Sequence, residues 1–194
     1  MLRGINDDEI PALAALSLDR PLHVRFIELM PLGESYAWAE ERYISADEGQ
    51  AILARLGTLE PLGEDGRAKG QAAGPAEYYR WTPAPDLRLR AELAAAIPPA
   101  LAGIKGPPGT VGFITPVSHK FCAGCNRLRL TADGRLVPCL GFETAVDLKT
   151  PLRAGAGDEA IEAILREAVL AKPLHHLMTI SSESRQRRMS RLGG

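Results

Sequence analysis

All three cysteines of the chain, Cys122, Cys125 and Cys139, fall in one stretch, as Cys122-x2-Cys125-x13-Cys139. An odd number of thiols packed this tightly in sequence reads as a site and not as a disulfide framework. A C-x-x-C pair on a turn delivers two ligands with little strain, and thiolates select soft or borderline metals. Zinc would ask for a fourth protein ligand, and His119, three residues before Cys122, could complete a closed Cys3His set. An iron-sulfur cluster on three cysteines would leave one iron open to a substrate, as catalytic metal sites keep a free position. Free or redox-active thiols are the third reading, and spacing alone leaves all three standing.

Directly after Cys125 comes Asn126-Arg127-Leu128-Arg129. On a strand, Arg127 and Arg129 share one face, and two guanidiniums beside a metal suit a phosphate or a carboxylate. The plainer reading is a solvated strand face. Arg127–Thr131 is strand-like, and Ala132-Asp133-Gly134-Arg135 is a hairpin turn leading into LVPC, so the cysteines should flank a β-hairpin. Thr110–Val117 reads as a further strand. Residues 158 to 171 carry apolar positions at Ile161, Ile164, Leu165 and Val169 and form an amphipathic helix.

Upstream, INDDEIPALAALSL reads as a helix with polar starters Asn6 and Asp7, and the run from Leu22 to Leu29 as a buried strand closed by Pro31 and Gly33. SADEGQAILARL, from Ser45 to Leu56, has a Ser cap and an acidic first turn, which marks another helix. Residues 57 to 76 lose regularity and read as loop. RAELAAAIPPALAGI forms a short helix broken at Pro98 and Pro99, inside what reads as an insertion over residues 82 to 105. The tail from Ser181 to Gly194 is polar and basic, and no internal repeat is visible.

With 194 residues, 45% hydrophobic and 24% charged, the chain has the composition of a globular protein and room for a proper core. Its 23 basic and 24 acidic residues give no global attraction to nucleic acid or anionic membrane, so a polyanion site must be local. No apolar run reaches the ~20 residues of a membrane span and no signal peptide is evident, which makes a cytoplasmic protein the expectation.

The string FITPVSHKFCAGCNRLRLTADGRLVPCL resembles the second cluster motif of the GTP 3',8-cyclase family, also called molybdenum cofactor biosynthesis protein A. The resemblance extends to RGINDDEI (3 to 10), RFIELMPLG (25 to 33), GPAEYYR (74 to 80), VDLKTPLRAG (146 to 155) and the terminal Gly193-Gly194, in the family's order. Residues 82 to 105 look longer than is usual there, and Gly141 to Ala145 departs from the pattern.

What the resemblance implies is a radical S-adenosylmethionine lyase of molybdenum cofactor biosynthesis that acts on GTP. Its second 4Fe-4S cluster would be carried by Cys122, Cys125 and Cys139 with one iron open. Arg127, Leu128 and Arg129 would lie in the GTP-binding segment, and Arg25 near the triphosphate. Met30 would contact S-adenosylmethionine, although core packing is its plainer role. Gly193 and Gly194 would be a tail reaching the active site, where glycine lets a backbone approach closely. Lys172, Pro173 and His175 match a K-P-x-x-H segment to which no catalytic role is given. The implied fold is α/β: residues 1–45 as the last helix-strand part of an incomplete TIM-like radical barrel, and 46–194 as a C-terminal α+β cluster-binding domain. No cysteine precedes Cys122, so the first, methionine-cleaving cluster would come from an N-terminal half not in this sequence. On that reading the chain is a fragment or half of a split enzyme, inactive alone, whose partners are GTP and that missing half. A homodimer of the intact enzyme is allowed; membrane and nucleic acid are not expected. The competing class is a non-enzymatic Cys3His zinc module with a basic hairpin.

Overall fold

The computed structural model describes residues 1–63 and 74–180. It is a mixed α/β structure in two compact units, one of Met1–Leu29 with Glu41–His119, the other of Met30–Glu40 with Lys120–Gly194.

The first unit is built on a four-stranded sheet in the order β1-β4-β3-β2. Its strands are β1 (His23–Ile27), β2 (Gly57–Pro61), β3 (Ala76–Pro83) and β4 (Thr110–Ile114). β1 pairs with β4 in parallel, His23 opposite Thr110 through Ile27 opposite Ile114, while β4-β3 and β3-β2 are antiparallel. Phe26, Val111, Phe113 and Trp81 turn inward, onto Ile10, Ala14 and Ala15 from α1 (Ile10–Ala15) and around it, Leu53 of α3 (Ala46–Leu56) and Leu93 of α4 (Leu87–Ala95). Trp81 also donates its indole N–H to the Leu53 carbonyl at 3.1 Å, so its polar edge is satisfied inside the core.

Several local expectations hold. Ser45 caps α3 with a full capping box: its Oγ accepts from the Glu48 amide and the Glu48 carboxylate accepts from the Ser45 amide. The helix within the 82–105 stretch breaks where its prolines sit, continuing as α5 (Pro99–Ala102). The stretch is tied in by Leu93 in the core and by Arg20, almost fully buried, whose Nε donates to the Leu101 carbonyl at 3.0 Å.

Three expectations need correction. The first helix begins at Ile10, because Asn6 and Asp7 accept from the Leu2 and Gly4 amides and so build the preceding turns. β1 is buried on one face only: Phe26 points into the core while Arg25 and Ile27 are exposed. Residues 57–61 form β2 instead of loop; their outer positions are polar or exposed, which hides the strand in the sequence. Residues 64–73 lie outside the described residues.

One carboxylate organises the end of β1. Glu28 is 1% exposed and accepts from the Val117 and Ser118 amides and the Ala46 amide, each at 2.9 Å, and from the Ser118 hydroxyl. Burial, and then the charge of Glu28 and a hydrogen bond to it, push the Tyr43 phenol well above its usual range.

The second unit is thinner. α2 (Tyr36–Arg42) carries the chain from it back into the first. A three-stranded antiparallel sheet, β5 (Arg129–Leu130), β6 (Arg135–Val137) and β7 (Val146–Asp147), has β6 in the middle. It is followed by α6 (Lys149–Arg153) and α7 (Asp158–Leu170), and α7 packs on β6 and β7. Only a few residues are buried here, among them Leu136, Val137, Ala168 and Met178. Among the described residues no helix is long and apolar enough to cross a membrane.

Candidate metal centre

The hairpin brings the cysteine-bearing segments to one end of its ladder. Arg129 pairs with Val137 and Leu130 with Leu136, so the residues before Arg129 and those after Val137 leave the same end of the ladder. The turn closes at the other end, where Gly134 has φ +80 and its amide donates to the Thr131 carbonyl at 2.9 Å. That left-handed backbone is what the Asp-Gly step supplies. Cys125 and Cys139 are thereby delivered from opposite strands, and Cys122 joins Cys125 through a 3-10 turn closed by the Cys125 amide on the Cys122 carbonyl at 3.1 Å.

All three cysteines are free and partly buried. Burial raises the Cys125 thiol, but the Arg127 backbone N–H, the Lys172 ammonium and the Arg127 charge outweigh it and bring it below the ordinary value. Cys139 goes the other way. Burial raises it, and Cys122 and Cys125 add to this, against a backbone N–H from Gly141 and the Lys172 charge. Among the described residues no three His, Cys, Asp or Glu side chains form a group that could hold a single ion.

The donor set nevertheless suits a thiolate-ligated group: three soft sulfurs without oxygen competitors, two of them with a backbone N–H directed at them, as cluster sulfurs commonly have. Cations crowd the same end. Arg129 is partly buried; burial and then the Arg127 charge lower its pKa, while the charges of Cys125 and Cys139 act in the opposite sense. Arg127 lies over the Phe121 ring, 5.6 Å from its centroid. Leu128, between them, is partly buried.

Two contributors have contacts here that the sequence did not predict. Lys172, just past the end of α7, donates to Cys125 Sγ at 3.4 Å and to the Arg127 carbonyl at 2.7 Å. Gly141 sits against His176 so closely that a Cβ there would lie 2.6 Å from the His176 Cβ. A side chain at 141 would displace the backbone that donates to Cys139.

The other expected site residues have local contacts of their own. Met30 stands partly buried at the start of a turn, its carbonyl accepting from the Ser35 hydroxyl at 2.9 Å and the Leu32 amide at 2.8 Å. Arg25, in the first unit, donates from Nε to the Tyr78 hydroxyl at 2.8 Å, with its guanidinium 5.7 Å from the Tyr78 ring centroid. Gly112 lies opposite both in register, and its missing side chain lets the Tyr78 ring cross to Arg25. His119 presents Nε2 to the Asp47 carboxylate at 2.9 Å, and that hydrogen bond, then the charge of Asp47, raises its pKa. Gly193 and Gly194 lie outside the described residues.

Comparison with known proteins identifies the family. Residues 22–178 match the family described as Molybdenum Cofactor Synthesis C. The whole chain aligns with proteins named GTP 3',8-cyclase: 45% identical to that of Pelotomaculum thermopropionicum, 42% to that of Desulforamulus reducens and 40% to that of Heliobacterium modesticaldum. In each case the alignment covers 100% of this chain and 51% of the relative, so the chain spans about half the length of the relatives it matches. The chain belongs to the molybdenum cofactor synthesis C family and corresponds to a C-terminal part of GTP 3',8-cyclases.

Proposed function

We propose that this chain is the substrate-holding part of a GTP 3',8-cyclase, which converts GTP to (8S)-3',8-cyclo-7,8-dihydroguanosine 5'-triphosphate in molybdenum cofactor biosynthesis. The observation that carries the reading is the C-x-x-C turn and Cys139 leaving the same end of one hairpin from its two sides, with Arg127 and Arg129 following Cys125 directly. Cys122, Cys125 and Cys139 would hold a 4Fe-4S group. When bound, that group supplies one iron free of protein ligands for the guanine, while S-adenosylmethionine on a second cluster, both held by an N-terminal half, supplies the radical chemistry.

The chain's own residues do the positioning. Arg127 and Arg129 offer planar donor forks to phosphate oxygens, and their proximity to the thiols would place the triphosphate beside the guanine-binding end. Leu128 lines the same segment. Arg25 is a further cation for the triphosphate, held by Tyr78; Met30 is assigned to S-adenosylmethionine, and Gly193 and Gly194 to an active-site tail. In this reading residues 1–45 complete an α/β barrel begun by the N-terminal half, and the exposed Arg25 and Ile27 face of β1 is where cations and apolar contacts for that half would lie. Fixing ribose and guanine in one orientation is a contribution that a protein can make to a cofactor-borne radical reaction. The Cys3His zinc reading is weaker, since among the described residues no three His, Cys, Asp or Glu side chains are grouped to hold a single ion.

Arg129→Ala tests the proposal in protein assembled with an N-terminal half. Weakened GTP binding, by roughly tenfold for one charge-assisted contact, with iron retained supports it. Loss of iron with GTP affinity unchanged would remove Arg129 from the substrate site.

A further inference from the structure

Lys172 follows α7 by two residues and, among the described residues, pairs with no carboxylate. A cation past a helix C-terminus ordinarily faces that helix's last carbonyls. This one reaches away, 47 residues back in sequence, to the Cys125 sulfur at 3.4 Å, and to the Arg127 carbonyl at 2.7 Å. The result is a bridge in which one ammonium ties the Cys125 sulfur to the segment carrying Arg127 and leading into β5 at Arg129.

We propose that Lys172 is a positioning residue for this centre: its ammonium fixes the Cys122-to-Cys125 turn against the Arg127–Arg129 segment and stabilises the bound cluster in its reduced form. The inference rests on the reading that the three thiols hold an iron-sulfur cluster. One-electron reduction adds one negative charge to such a group, and a cation in contact with a ligating sulfur favours the more negative state. The electron comes from an external reductant, dithionite in the measurement below; no bond is made or broken at Lys172. The second donor contact, to the Arg127 carbonyl, gives the residue a further effect that a remote charge would lack, namely on the orientation of the phosphate-binding arginines.

The test is reconstitution of the chain anaerobically as wild type, Lys172→Met and Lys172→Arg, followed by iron and sulfide analysis and a dithionite titration monitored by electron paramagnetic resonance. The expected result is equal iron and sulfide in all three, a midpoint potential moved to more negative values in Lys172→Met, and recovery toward wild type in Lys172→Arg. An unchanged midpoint in Lys172→Met overturns the proposal. If the Met variant takes up no cluster, uptake by the Arg variant at wild-type potential supports it, and failure of both variants overturns it. Zinc without iron in the unsubstituted chain would sink the cluster reading and this inference together. That failure is recognisable because it appears before any substitution is made.

Discussion

The two units are held by different physics. The first closes on a contiguous apolar core in which Phe113, Val111, Leu53 and Ile10 are almost wholly buried, and its deeply buried carboxylate, Glu28, is met by backbone amides and the Ser118 hydroxyl. The second has strands of two or three residues and leaves Leu165, Val169, Leu170, Leu174 and Leu177 exposed. So small a sheet is marginal by itself, and a ligated metal group is one of the few staples that can order it. The first unit should therefore be insensitive to metal and the second dependent on it. Each unit carries one tryptophan, Trp81 in the first and Trp38 in the second, so the two can be followed separately.

The largest expected effect lies in the first unit. Glu28→Ala strands three amides and a hydroxyl in a buried place, and should cost about 3–5 kcal/mol of its stability. Denaturant unfolding followed by Trp81 fluorescence, in a Trp38→Phe background, measures it; a loss below about 1 kcal/mol would mean that water replaces the carboxylate. Next comes Gly141→Ala in the second unit. With a Cβ forced against His176, overpacking of roughly 1–3 kcal/mol should appear as faster iron loss to a chelator, with Trp81 unfolding unchanged.

These positions also mark where sequence reading stops. The Ser45/Glu48 capping box, the Asp-Gly hairpin, the proline break before α5 and the C-x-x-C pair are local, because each places the interacting residues within a few positions of one another. Glu28 looks like one acid in an apolar run; its partners, Ala46, Val117 and Ser118, are 18, 89 and 90 residues away. Lys172 and Gly141 likewise matter only through tertiary contacts. β2 was hidden because antiparallel pairing with β3, and not apolar alternation, makes it a strand.

A smaller effect separates binding from folding in the first unit. Tyr78→Phe keeps the ring over Gly112 but removes the hydroxyl that accepts from Arg25, which should weaken GTP binding by about 0.5–1.5 kcal/mol while leaving Trp81 unfolding in place. Unchanged affinity for GTP relative to guanosine would take Arg25 out of the triphosphate site. The smallest effect is the exposed His119–Asp47 pair. Its folded pKa is raised, so the stabilisation is complete below about 6.5 and disappears as pH rises through the higher folded value. Solvent screening limits it to under ~0.5 kcal/mol. The difference in unfolding free energy between wild type and His119→Gln should accordingly be larger at acidic than at alkaline pH, and a pH-independent difference would assign it to packing.

The central claim, that the second unit is ordered by a thiolate-bound cluster open to GTP, is tested most directly by anaerobic reconstitution of the chain and of Cys139→Ser. Iron, sulfide and zinc would be assayed, and cluster spectra recorded before and after adding GTP. The prediction is about four irons and four sulfides per wild-type chain, a GTP-dependent spectral change, and loss of both in Cys139→Ser. One zinc per chain, no iron uptake and no response to GTP would contradict it.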